Sequence, residues 1–117
     1  MTHQTERKVL YALTKIAEKV LGLPKTASRI LKALVRSTKK LSVNQIVERV
    51  HSSERSVRKY LVSLWRKGIL EREVVKTARG KLAYIYYIAP TEKVSTVLRK
   101  EISKTIKKLD DIVGENA

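Results

Sequence analysis

The chain has 117 residues, with 26 Lys and Arg against 11 Asp and Glu, a formal charge of +15 and a pI near 10.3. That length argues for one domain, 43% apolar residues suffice for a core, and the absence of cysteine removes disulfides, thiolate metal ligands and thiol nucleophiles. An enzyme is disfavoured, and so strong a field on so small a body favours a polyanionic partner.

Residues 6–21 place Val9, Leu10, Leu13, Ile16, Ala17, Val20 and Leu21 at helical spacing, and Gly22 follows as a stop signal. Pro24 suits the first turn of a second helix over 24–37, with Ala27, Ile30, Leu31, Leu34 and Val35 in one apolar stripe. Ser37-Thr38-Lys39-Lys40 is a polar break. Leu41 then forms a very short strand or staples the next helix. Ser42 caps a short third helix bearing Val43, Ile46, Val47 and Val50. His51-Ser52-Ser53 makes a turn, and Ser53 caps a fourth helix over 53–67 with Val57, Tyr60, Leu61 and Leu64 buried. Gly68 ends it.

The period then changes from helical to alternating. Residues 70–76 and 81–88 read as two strands rich in Val, Ile and Tyr. Thr77-Ala78-Arg79-Gly80 joins them as a hairpin, with Gly80 available for positive φ. Ala89-Pro90 closes the sheet, and Thr91 caps a long helix to Val113. Its stripe is Val94, Leu98, Ile102, Ile106, Leu109 and Val113, with Thr105 and Ile112 alongside. The predicted fold class is α+β, mostly α: a winged helix–turn–helix with a long C-terminal dimerisation helix. The expected division is an N-terminal helix over 1–22, a winged domain over 23–89 and a coiled-coil helix over 90–117.

The charge is uneven. Residues 25–81 hold sixteen basic and four acidic groups, whereas the flanks are nearly balanced. A merely solvated surface mixes the signs more evenly. Asn and Gln number four, Gln4, Asn44, Gln45 and Asn116, a bias seen in thermophiles.

In this architecture the fourth helix lies in the major groove of duplex DNA. Opposite its buried stripe it presents Arg55, Lys59, Val62 and Arg66, flanked by Arg58 and Ser63, with Ser53 and Ser56 at its start. Arg can read guanine; Lys and Ser more often hold phosphate. Val62 either touches a thymine methyl or, the preferred reading, packs against the second helix. The hairpin tip crowds Lys76, Arg79 and Lys81 together, suiting phosphates or a narrow minor groove. The candidate DNA-binding residues are therefore Ser53, Arg55, Ser56, Arg58, Lys59, Ser63, Arg66, Lys76, Arg79 and Lys81.

Lys25, Arg29, Lys32 and Arg36 share one side of the second helix, and reach flanking backbone or are ordinary surface. Lys39 and Lys40 are similar. Tyr84, Tyr86 and Ile88 share one strand face and Ala83, Ile85 and Tyr87 the other. They cover the core or the terminal helices in preference to stacking single-stranded bases. Trp65 is expected under the hairpin. His51 contacts phosphate or solvent; with only His3 besides, a metal site lacks partners. Asp110 and Asp111 point about 100° apart on a helix and are no catalytic pair. No phosphate loop or nucleophile elbow is present, and no cofactor is expected. Phosphorylation at Ser52, Ser53, Ser56 or Ser63 would oppose DNA binding.

The near-heptad stripe of the last helix must be buried somewhere, which predicts a homodimer through that helix, with the first helix possibly joining it. The alternative is that the two terminal helices pack within one chain. No run of about eighteen uncharged apolar residues exists, so no membrane span is expected. The polar opening over 1–8 does not read as a secretory signal. The expected location is cytoplasmic and nucleoid-associated.

Two runs resemble small archaeal winged-helix regulators: Leu21-Gly22-Leu23-Pro24-Lys25, and the stretch from Ser53-Glu54-Arg55-Ser56-Val57-Arg58-Lys59 to Lys67-Gly68-Ile69-Leu70. The second is similar to the recognition helix of TrmB-type regulators. The overall plan is similar to the short crenarchaeal regulators of the Lrp-like group. The resemblance spans roughly residues 20–113. It implies dimeric binding of double-stranded DNA, with the role falling on Arg55, Arg58, Lys59, Arg66, Arg79 and Lys81. The sugar-binding domain of TrmB-type regulators has no counterpart before Ala117, and control by a sugar is not carried over. Rival readings are a sequence-tolerant architectural protein, an RNA-binding module and a protein–protein module of the transcription apparatus.

Overall fold

The structure, a computed structural model, describes residues 3–37 and 39–115. Met1, Thr2, Thr38, Asn116 and Ala117, which fall in the polar opening, the polar break and the C-terminal stretch, lie outside the described residues.

Eight elements follow in chain order: α1 (His3–Val20), α2 (Lys25–Arg36), β1 (Leu41–Ser42), α3 (Val43–Val50), α4 (Glu54–Arg66), β2 (Leu70–Lys76), β3 (Leu82–Ile88) and α5 (Thr91–Glu115). Helix α1 begins three residues earlier than its apolar stripe suggests. Its end is a Schellman motif: Gly22 takes φ 60°, and the Leu23 N–H donates to the Glu18 carbonyl at 3.0 Å. The same device ends α4, where the Gly68 N–H donates to Trp65 at 3.0 Å and the Ile69 N–H to Leu64 at 3.1 Å. Two starting positions shift by one residue. Pro24 is the N-cap of α2, and the Pro90 carbonyl, not a Thr91 side chain, receives the first α5 bond, from the Val94 N–H. Ser42 forms a reciprocal capping box with Gln45 at the start of α3.

Leu41 and Ser42 form a true strand, pairing antiparallel with Tyr86 and Ile85, so the sheet order is β1-β3-β2. In the β2–β3 hairpin Leu70 faces Ile88 and Lys76 faces Leu82. Strand β3 starts at Leu82, which leaves Lys81 in the turn.

One core joins these elements. Ile30, Leu31 and Leu34 of α2 meet Ile46, Leu61, Leu64, Leu70 and Tyr86. Ala17 of α1 and Val94 and Leu98 of α5 are fully part of it, so the terminal helices pack on each other and on the winged body within one chain. Beyond Leu98 the apolar stripe of α5 leaves the core and is exposed from Ile102 onwards.

Candidate nucleic-acid interface

Helix α4 owes its orientation to its buried side: Val57, Leu61 and Leu64 lie in the core, which turns the opposite side outward. There Arg55, Arg58, Lys59, Val62, Ser63, Arg66 and Lys67 line a shallow open groove of about 740 Å³. Val62 thus lies on the outward groove; the preferred expectation, packing against the second helix, is replaced. Lys67, the C-cap of α4, was not among the expected residues. Its cue was only its place next to Gly68.

Ser53 is occupied in structure-building: its Oγ accepts the Ser56 N–H at 3.1 Å, which caps α4. Ser56 is half-buried and is not part of the groove. Arg58 pairs with Glu54 at 2.9 Å, one turn away. Both side chains are well exposed, so the pair adds little stability; it orients the guanidinium along the helix. Arg55, Lys59 and Arg66 have no carboxylate partner among the described residues. The Lys59 ammonium lies 5.4 Å from the Tyr60 ring centre.

At the wing, Gly80 takes φ 78°, and its N–H donates to the Thr77 carbonyl at 2.9 Å. The Thr77 N–H meets the Lys81 carbonyl at 2.7 Å, and the Lys81 N–H reaches Thr77 Oγ1 at 3.2 Å. This closes a three-residue hairpin loop with the Gly in the left-handed position. Lys76, Arg79 and Lys81 are all exposed around it.

A contact that sequence reading missed joins wing to helix. Arg72 of β2 lays its guanidinium 3.6 Å from the Trp65 ring centre and 4.0 Å from that of Tyr84. Cation–π stacking on two faces fastens β2 and β3 to the last turn of α4. Trp65 therefore lies beside the hairpin and stays 38% exposed, not under it. The available cue was an Arg at the alternating position between Leu70 and Val74. Tyr86 fills the core as expected, while Tyr84 is exposed towards the tip.

On the other sheet face Lys40 pairs with Glu73 and stands 4.3 Å from the Tyr87 ring centre. The hydrogen bond from Lys40 holds the Glu73 carboxyl below its ordinary range, and the same bond raises Lys40. Burial, then the neighbouring Glu71, raises Tyr87. The Glu73 contribution is present above the usual carboxylate pKa and is lost as pH falls through the lowered value. The Lys40 contribution is present below the usual lysine pKa and is lost as pH rises through the raised one. Lys40 is thus tied to the sheet, unlike Lys39.

His51 is exposed in the left-handed conformation, φ 53°, at the C-cap of α3. Among the described residues no group of three His, Asp or Glu side chains is placed to hold a metal ion. Among the described residues no helix is long and apolar enough to cross a membrane.

No family model and no curated protein matches the sequence. Solved structures do. A possible transcriptional regulator from Methanosarcina mazei superposes with a TM-score of 0.75 over 86% of this chain and 85% of its own, at 18% identity. The Orc1 protein of Aeropyrum pernix, solved in complex with DNA, gives 0.55 over 83% of this chain at 22% identity, although the match spans only 28% of that protein. The transcriptional regulator BldR of Sulfolobus solfataricus gives 0.51 at 18% identity, over 95% of this chain and 76% of its own. At these identities the likeness establishes architecture. The chain is a winged helix–turn–helix, α+β and mostly α, with a long C-terminal helix.

Proposed function

We propose that the protein is a dimeric transcriptional regulator that binds double-stranded DNA. Helix α4 reads the major groove with Arg55, Lys59 and Arg66, and Arg58 and Ser63 flank them. The wing over 76–81 holds backbone or minor groove through Lys76, Arg79 and Lys81. The observation that carries this reading is the outward groove of α4, which five cations and no carboxylate line. Ser53 and Ser56 contribute through the helix N-terminus that they shape, which favours a phosphate. Val62 lines the same groove, which supports a contact with a thymine methyl.

Structurally similar transcriptional regulators, among them those from Methanosarcina mazei and Sulfolobus solfataricus, support a regulator over an enzyme. The TrmB-like run over 53–70 supports an archaeal type of regulator acting at the nucleoid. Dimerisation rests on the α5 stripe beyond the core. There Ile106 is 54% exposed, and Leu109 and Val113 are each 59% exposed.

The test is duplex binding by Arg55→Ala and Lys59→Ala proteins. Each is expected to lose about 1–3 kcal/mol of affinity for a preferred site. Unchanged binding by both removes α4 from the interface. A second reading, a sequence-tolerant architectural protein, draws on the scarcity of Asn and Gln. Neither type occurs in α4 to read adenine.

A further inference from the structure

A second cationic surface lies apart from the α4 groove. Arg29, Lys32 and Arg36 of α2 face the C-terminal end of α3, where Arg49 and His51 complete an open groove of about 620 Å³. Ala33 and Val50 form its floor. No carboxylate lines it, and among the described residues none of the five has an ion-pair partner.

Part of this charge has a local cause. Arg36 and Arg49 stand in the last turns of their helices, where cations complement the helix dipole. That cause does not extend to Arg29 and Lys32, which lie further back on α2. The stretch from Arg29 to Arg36 rises about 10 Å at 1.5 Å per residue. One DNA strand carries a phosphate about every 3.4 Å of helix axis, so the stretch spans about three phosphate spacings.

We propose that this groove holds the phosphate backbone of duplex DNA flanking the segment read by α4, beyond the end of α4 remote from the wing. The proposal rests on the duplex-DNA reading and deepens it. Its placement follows from the chain: His51 lies two residues before Ser53, the N-cap of α4, whereas Trp65 and Arg72 fasten the wing at the C-terminal end. The two cationic grooves are thus joined in sequence by the short His51–Ser53 turn at the start of α4. Arg29, Arg36, Arg49 and His51 are all exposed. An open groove of this kind suits an extended polyanion more than a small enclosed one.

The experiment compares two duplexes sharing one bound site, about 20 and about 40 base pairs long, or two and four helical turns. Affinity is measured against salt for the wild-type protein, an Arg29→Gln/Arg36→Gln/Arg49→Gln protein and a Lys59→Ala control. On the longer duplex the triple variant is expected to lower the log–log salt slope by about 2–3 for each subunit bound, at about 0.9 per lost phosphate. Its affinity for the shorter duplex should stay within about twofold, whereas Lys59→Ala weakens both. Arg29→Gln/Lys32→Gln spares the dipole-complementing residues and serves if the triple variant melts early; it should lower the slope in the same sense. Unchanged slope and affinity on the longer duplex overturn the groove and leave the DNA reading standing. Equal loss on both lengths also overturns it, because the groove would then act within the segment under α4. A wild-type protein that binds neither duplex overturns the DNA reading itself.

Discussion

Gly68 and Gly22 occupy equivalent positions after two helices, yet they are not equally replaceable. Both have positive φ, which costs an L-residue about 1–2 kcal/mol. A Cβ on Gly22 would meet nothing within 4 Å, whereas one on Gly68 would lie 3.2 Å from Val97 Cγ2 of α5. Gly68→Ala is therefore expected to lose about 2–3 kcal/mol of stability and Gly22→Ala about 1, read from urea unfolding. Equal losses would mean that α5 yields at Val97. Arg72 illustrates the limit of reading residues in sequence. Its charge suggests solvent, but its role comes from two rings on neighbouring elements. Arg72→Ala should lower stability by about 1–2 kcal/mol and alter the fluorescence of Trp65, the only tryptophan. An unchanged spectrum would show that the stack does not form in solution.

The elements themselves were largely legible, because strong periodicity and strong caps coincide. Leu61, Leu64 and the Ser53 cap define α4, and the alternating run from Leu82 to Ile88 defines β3. Less legible were facts that depend on partners. Leu41 fits a strand or a staple until Tyr86 is seen beside it. Val62, apolar on an outward face, reads as packing on the second helix until the groove of α4 is seen around it. The Lys40–Glu73 pair joins residues 33 positions apart, a separation that no local pattern reveals. Helix α5 is legible in the sequence as amphipathic, but its stripe has two fates. Val94 and Leu98 serve the chain's own core, while Ile106 and Leu109 do not. Ile106→Glu/Leu109→Glu should therefore leave the fold intact, convert the proposed dimer to a monomer in sedimentation and weaken DNA binding by about 100-fold or more through lost avidity. A wild-type protein that sediments as a monomer at micromolar concentration would contradict the dimer.

At the scale of the molecule, twelve excess positive charges lie within residues 25–81, where the winged body is built. The three described ion pairs engage only Lys40, Arg58 and Lys93. Most of the field thus remains outward, on α4, the wing and the α2–α3 groove, and such fields act through counterion release. Fold and field together support the proposed duplex binding, in which sequence choice would fall to Arg55, Arg66 and Val62. The most direct test is a salt titration of the purified protein against a random duplex and against the DNA upstream of its own coding region. The account predicts affinity falling steeply with salt on both, with a footprintable upstream site that persists after random DNA has released. Binding that is weak even at low salt, or indifferent to salt, would contradict it.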